Sequence, residues 1–217
     1  MRGRILMALA AACSVATLMA QGTRPLNLRG NRFKPLTADA LTPQQQTLVS
    51  DLLAGSRTSL DGPFNAYLRS PDMGNIAQKL GEYVRFRTSL PRKLNEMTII
   101  LTARYWSSQY EWFAHAPLAV AAGLSQSVVD DVKEGRRPAA MKPDEAVVYD
   151  FCQEMRQVHR VSDATYKAAV DLVGEQGVMD LIAAMGYYDL VSMTLNADGY
   201  PLPANATPPF AEPVFPK

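Results

Sequence analysis

Glu111 and His115 stand four residues apart in Glu111-Trp112-Phe113-Ala114-His115, an interval that puts both side chains on one face of a helix. A carboxylate beside an imidazole favours the charged ring, while burial disfavours an ionised carboxylate. Together these effects give a fold an acid and a base near neutral pH. With Arg92 to His115 read as one helix, Glu96 falls within about a quarter turn of the same face. Three titratable groups then project from an apolar stretch, a set suited to moving protons. The plain alternative pairs Glu111 with Arg104 or Lys93 and leaves His115 as a core histidine bonded to a backbone carbonyl, since structural ion pairs are common. A third reading gives Glu96, Glu111 and His115 to a divalent metal as two carboxylates and one imidazole. Trp106, Trp112, Tyr187 and Tyr188 are candidates for the wall of an aromatic-sized pocket, or are simply core.

Every element expected to carry these residues is a helix, so the fold class is all-α. Thr42-Pro43-Gln44-Gln45 supplies an N-cap, a proline at the first helical position and a capping-box glutamine ahead of Leu48, Val49, Leu52 and Leu53. Pro63 to Leu68 reads as a short helical turn. A helix restarts at Pro71-Asp72, carries Ile76, Leu80, Tyr83 and Val84 at helical spacing, and stops before Leu90-Pro91. Leu94, Met97, Ile99, Ile100, Leu101, Ala103 and Trp106 then make a run apolar nearly all round, the pattern of a buried central helix. Further helices are expected over Glu111 to Ala122, Ser125 to Glu134 and Pro143 to about His159, the first two closing at Gly123 and Gly135. His159, beside Arg160 at a helix end, is explained by the helix dipole. Ser162-Asp163 caps a helix to Val173, and Val178 to Leu195 carries a last long one.

The chain of 217 residues has 22 Lys and Arg against 21 Asp and Glu, with no basic block. The charge footprint of nucleic-acid binding is therefore missing. Met1-Arg2-Gly3-Arg4 followed by the apolar run Ile5 to Ala12 has the grammar of a secretory signal, with cleavage plausible after Ala20. Export to the periplasm or beyond is expected, and no later apolar run reaches the ~20 residues of a membrane span. Ala10-Ala11-Ala12-Cys13 leaves lipidation open. After cleavage at Ala20 only Cys152 remains, so no internal disulfide can form, and its place in a helical apolar pattern suits a core thiol. Residues 21–40 read as an arm, 41–199 as the helical domain and 200–217 as a Pro-rich tail. The tail is expected to be solvated, or to dock Phe210 and Phe215 on a neighbouring subunit. Asn205-Ala206-Thr207 matches a glycosylation acceptor, a short and common pattern.

Glu96, then Ser108-Gln109-Tyr110-Glu111, then His115, then an apolar helix to Ala122-Gly123-Leu124-Ser125 together resemble the carboxymuconolactone decarboxylase family, which includes the alkylhydroperoxidase D-like proteins. The resemblance covers roughly Leu41 to Pro203 and implies that family's helical fold. In the thiol branch of the family a glutamate precedes a Cys-x-x-Cys-x3-His motif. Here the two cysteine positions hold Ser108 and Glu111, neither of which can cycle through sulfenic acid and disulfide, so thiol peroxidase activity is not expected. A glutamate four residues before the histidine is similar instead to the decarboxylase branch, whereas Glu96 matches the thiol branch better.

What the resemblance implies is a cofactor-free decarboxylase, a carbon–carbon lyase or related proton-transfer enzyme, acting on a small cyclic carboxylic acid or lactone with no metal. Its site needs a cation for the substrate carboxylate, an acid to protonate carbon and donors for the dienolate oxygen. His115 is the expected acid, oriented and charged by Glu111, with Glu96 nearby and Tyr110 as a donor. Arg104 is the expected carboxylate holder, or else the partner of Glu96. Asn196 resembles a family position near the end of the last helix, or is a C-terminal cap. A homo-oligomer is expected, because family members resemble one another in assembling through helices. The rival from outside enzymology is a non-catalytic oligomer that binds a small ligand in the same pocket, as fold does not fix function.

Overall fold

The structure is a computed structural model that describes residues 26–57 and 59–213. The expected signal segment, the first arm residues and Phe215 lie outside them. The described chain is all-α, with eight helices: α1 Pro43–Ala54, α2 Phe64–Tyr67, α3 Pro71–Phe86, α4 Arg92–Tyr105, α5 Gln109–Ala121, α6 Gln126–Lys133, α7 Pro143–Gln157 and α8 Asp163–Asp198. Thr42 and Gln45 form the expected capping box at the start of α1. α8 contains one non-helical residue, Gly174, with φ 70° and ψ 172°, so it is two helical segments joined where the sequence suggested a break.

α4 is the central helix, with every residue from Leu94 to Ala103 buried and α5, α6, α7 and α8 packed around it. The run Arg92 to His115 is nevertheless two helices, not one. α4 ends with Ser107 at φ 47°, where the Ser107 N–H donates to the Arg104 carbonyl at 3.0 Å and the Ser108 N–H to the Ala103 carbonyl at 2.8 Å. This pair of bonds is a Schellman turn. Glycine takes the left-handed position of the equivalent turns after α5, α6 and α8, at Gly123, Gly135 and Gly199. Serine in that position costs roughly 1–2 kcal/mol and gives no glycine signal to read.

α3 also differs from its pattern. Ile76 is 74% exposed and Leu80 is also exposed. The buried side of α3 is instead Gly74, Ala77, Gln78, Gly81 and Val84. Small residues are needed there because α3 lies close to its neighbours. A Cβ on Gly81 would sit 2.1 Å from the Tyr187 hydroxyl. That near contact brings Tyr187 of α8 alongside α3.

Both ends of the described segment are fastened to the helical body. Leu28 is buried, and the N–H groups of Asn31 and Phe33 donate to Asp198 Oδ1 at 3.1 and 2.7 Å. Folded structure therefore begins before Leu41. The arm was unreadable in the sequence because its attachment is made by backbone donors on one carboxylate rather than by an apolar repeat. In the tail, the Phe210 N–H and carbonyl both bond to the Gln109 side chain, and its ring meets Trp112 edge-on at 5.3 Å. Phe210 thus docks on its own chain, half-buried against Trp112. The second segment of α8 is apolar and long enough to cross a membrane, but Leu181, Ala184, Val191 and Leu195 along it are core.

Candidate functional site

Because the α4–α5 link turns sharply at Ser107, the two helices pack side by side, and Glu96 of α4 reaches His115 of α5 through tertiary contact. Glu96 Oε2 lies 2.7 Å from His115 Nδ1. The other ring nitrogen, Nε2, faces Glu111 Oε2 at 3.5 Å, and that oxygen has no hydrogen-bond partner. All three side chains are deeply buried, at 4% exposure for Glu96, 4% for Glu111 and 3% for His115. With Glu96 accepting from Nδ1, the ring is fixed so that Nε2 addresses Glu111.

His115 and Glu111 lie in the wall of a cavity of about 300 Å³. Its roof is made by Ser56, Arg57, Ser59 and Asp61 to Pro63, between α1 and α2, and its sides come from the end of α3, the start of α5 and the middle of α8. Glu96 stands behind His115, outside the cavity wall. Tyr188 meets the His115 ring edge-on at 5.1 Å, and Tyr187 meets Tyr188 edge-on at 5.3 Å.

The electrostatics separate acid from donors. Desolvation pushes the Glu111 carboxyl above its ordinary value, Glu96 adds to this, and the charges of His115, Arg85 and Arg57 only partly oppose it. Glu111 is therefore drawn towards its neutral form. Burial pushes the Tyr187 phenol up to about 12 and Tyr188 well above its ordinary range. Both phenols keep their protons at neutral pH and are available as donors.

The plain alternative for the pair does not hold. Lys93 pairs with Asp144 and Glu145 at 2.8 and 2.7 Å, Arg104 with the Ser107 hydroxyl, and His115 with a carboxylate rather than a carbonyl. The metal arrangement does not fit either, because the two carboxylates address opposite nitrogens of one ring and so do not converge on a point. Among the described residues no group of three or more His, Cys, Asp or Glu side chains is arranged to hold an ion.

Of the other expected site residues, Tyr110, Tyr187 and Tyr188 line the cavity. The Tyr110 hydroxyl is engaged by Arg29 at 3.4 Å and its ring by Tyr200. Four expected residues lie elsewhere. Trp106 donates its indole N–H to Asp189 at 2.6 Å, and Asn196 donates to the Trp106 carbonyl at 2.8 Å. Trp112 packs in the core against Phe210, and the Arg104 guanidinium covers that same phenylalanine at 5.4 Å. The helix break at Ser107 turns Arg104 and Trp106, at the end of α4, away from the Glu111–His115 face, whereas Trp112 lies on another side of α5 and Asn196 near the end of α8.

The cations that do reach the cavity are Arg57, on the roof, and Arg85, near the end of α3. Sequence reasoning missed both. A loop arginine and an arginine on an amphipathic helix read as solvated, and neither stands at a fixed interval from Glu111. Comparison with known proteins supplies no family: no family model matches the sequence, and no curated protein matches it.

Proposed function

We propose that this chain is a cofactor-free proton-transfer enzyme, a decarboxylase of small cyclic carboxylic acids or lactones, of the carboxymuconolactone decarboxylase-like kind that its motif resembles. The observation that carries the reading is His115 held between two buried carboxylates, one bonded and one free, at the wall of a ligand-sized cavity. A proton shared between Glu111 and His115 Nε2 stands at the cavity wall, where a bound molecule can take it, while Glu96 keeps the Nδ1 side fixed.

In the reaction, the bond from ring carbon to carboxylate breaks, carbon dioxide leaves, and the electron pair is delocalised into the adjoining unsaturated carbonyl. The Tyr187 and Tyr188 phenols, which line the cavity and keep their protons, are assigned as donors to the developing enolate oxygen. Carbon then takes a proton from the Glu111–His115 pair, and the pair recovers one from water when product leaves. Relative to the sequence expectation, Glu111 moves from orienting group to shared proton source, because burial favours its neutral form.

General acid catalysis contributes roughly a hundredfold or more. His115→Ala is therefore expected to lower carbon dioxide release by at least about that factor, with an unchanged far-ultraviolet circular dichroism spectrum. The check is release from a panel of small cyclic carboxylates and unsaturated lactones. Near wild-type turnover in the folded variant sinks the assignment, as does a panel that the wild type leaves untouched.

A further inference from the structure

We infer that Arg57 and Arg85 form a binding site for the carboxylate of a small cyclic ligand at the cavity wall. This deepens the proton-transfer reading by naming what its substrate carries, and it rests on that reading only for the use made of the bound molecule.

The two guanidinium groups share one aromatic ring. The central carbon of Arg57 lies 5.8 Å from the Phe86 ring centre and that of Arg85 lies 5.3 Å from it, while Arg57 also covers Phe64 at 4.7 Å. Two like charges are thus gathered at one cavity, held by the faces of apolar rings. Among the described residues, neither arginine has a carboxylate within ion-pair distance.

The acids around them are engaged or drawn towards neutrality by burial. Asp61 is paired with Arg29 at 2.7 Å, and Glu82 accepts the Ser56 N–H at 3.1 Å. Glu111 is drawn to its neutral form by burial. The Arg57 Nε–H is itself buried without an acceptor, a costly state for a donor on a charged group. An anion in the cavity supplies the missing acceptor and the missing countercharge together.

A carboxylate suits the place better than a larger anion. Its planar pair of oxygens matches the guanidinium fork. The cavity of about 300 Å³ lies at the small end of ligand pockets, roughly 300–1,000 Å³, so it takes one ring and little more. Phe64, Phe86, Tyr187 and Tyr188 supply apolar surface for that ring.

The test is binding rather than turnover. Benzoate, benzamide and inorganic phosphate are titrated into the protein at constant ionic strength by calorimetry. Benzoate is expected to bind at least about tenfold tighter than benzamide, its neutral counterpart, and tighter than phosphate; one well-made charge-assisted bond is worth a factor of that order. Arg57→Gln and Arg85→Gln are each expected to weaken benzoate about tenfold or more, while Arg136→Gln, an exposed arginine outside the cavity, binds as wild type does. Arg85→Lys, which keeps the charge but loses the fork, is expected to fall between, and thermal melts confirm that each variant is folded.

Equal binding of benzoate and benzamide, absence of benzoate binding, phosphate binding as tight as benzoate, or arginine variants that bind unchanged would each overturn the assignment. Tight arginine-dependent benzoate binding in a protein that decarboxylates nothing leaves this site standing and removes the reaction alone.

Discussion

Asp180 and Glu111 are both buried carboxylates, and the protein treats them in opposite ways. Burial alone would raise Asp180, but the N–H and hydroxyl of Ser89, together with the Tyr83 and Thr88 hydroxyls, hold it below its ordinary value. The closest of these donors stand at 2.7 Å. Asp180 thus stays charged and ties the α3–α4 connection to α8. Glu111 Oε2 receives no hydrogen bond, and its carboxyl is pushed up by burial. The same chemical group becomes a staple where donors surround it and an acid where they are withheld.

The largest effect expected from breaking this contrast is on stability. Asp180→Ala removes the acceptor of four donors in two segments and is expected to cost about 2–4 kcal/mol, read from urea denaturation midpoints. Glu111→Gln, which removes a carboxyl that makes no hydrogen bond at that oxygen, is expected to leave the neutral-pH midpoint equal or higher. A loss in Glu111→Gln as large as that in Asp180→Ala would mean that both are staples.

The pH dependences should run in opposite directions. Glu111 has a folded value above its ordinary 4.5, so the folded state holds that proton more tightly. Its stabilising contribution is fully present below 4.5 and is lost as pH rises through the raised value. Asp180 has a folded value below its ordinary 3.8. Its contribution is present above 3.8 and is lost as pH falls through the depressed value. Midpoints measured from acid to mildly alkaline pH should show Glu111→Gln flattening the decline above 4.5 and Asp180→Asn flattening the acid-side loss. A wild type whose slope above 4.5 survives Glu111→Gln contradicts the assignment.

The smallest effect concerns Cys152, a third buried titratable group, which lies outside the cavity. Burial pushes its thiol up to about 12, so almost no thiolate is present at neutral pH. Thiol reagents are expected to leave the native protein unmodified by mass spectrometry and to label it only in denaturant. Rapid native labelling would show the thiol to be more open than its place in the core allows.

Local sequence carried most of the helices and half of the candidate site. Proline starts, capping residues and glycine stops mark α1, α5, α6 and α7 because they act within a few residues of the helix end they define. Glu111 and His115 were legible as neighbours for the same reason, since the helical repeat alone puts them together. The break at Ser107 was not, because a serine holds the left-handed position usually marked by glycine, and its cost is offset by packing elsewhere.

Only the tertiary structure decided the rest. Glu96 meets His115 because α4 and α5 are pressed together, Arg57 and Arg85 face the cavity because a loop folds over α3, Trp106 and Arg104 are turned away by one residue's backbone angle, and Trp112 and Asn196 are taken up by the tail's Phe210 and by the Trp106 carbonyl. The sequence by itself determined which residues are helical and which pair is close along a helix, since those are short-range consequences of backbone geometry. Which carboxylate is left without donors, and which cations face it, depends on segments far apart in the chain, and no local repeat encodes that meeting.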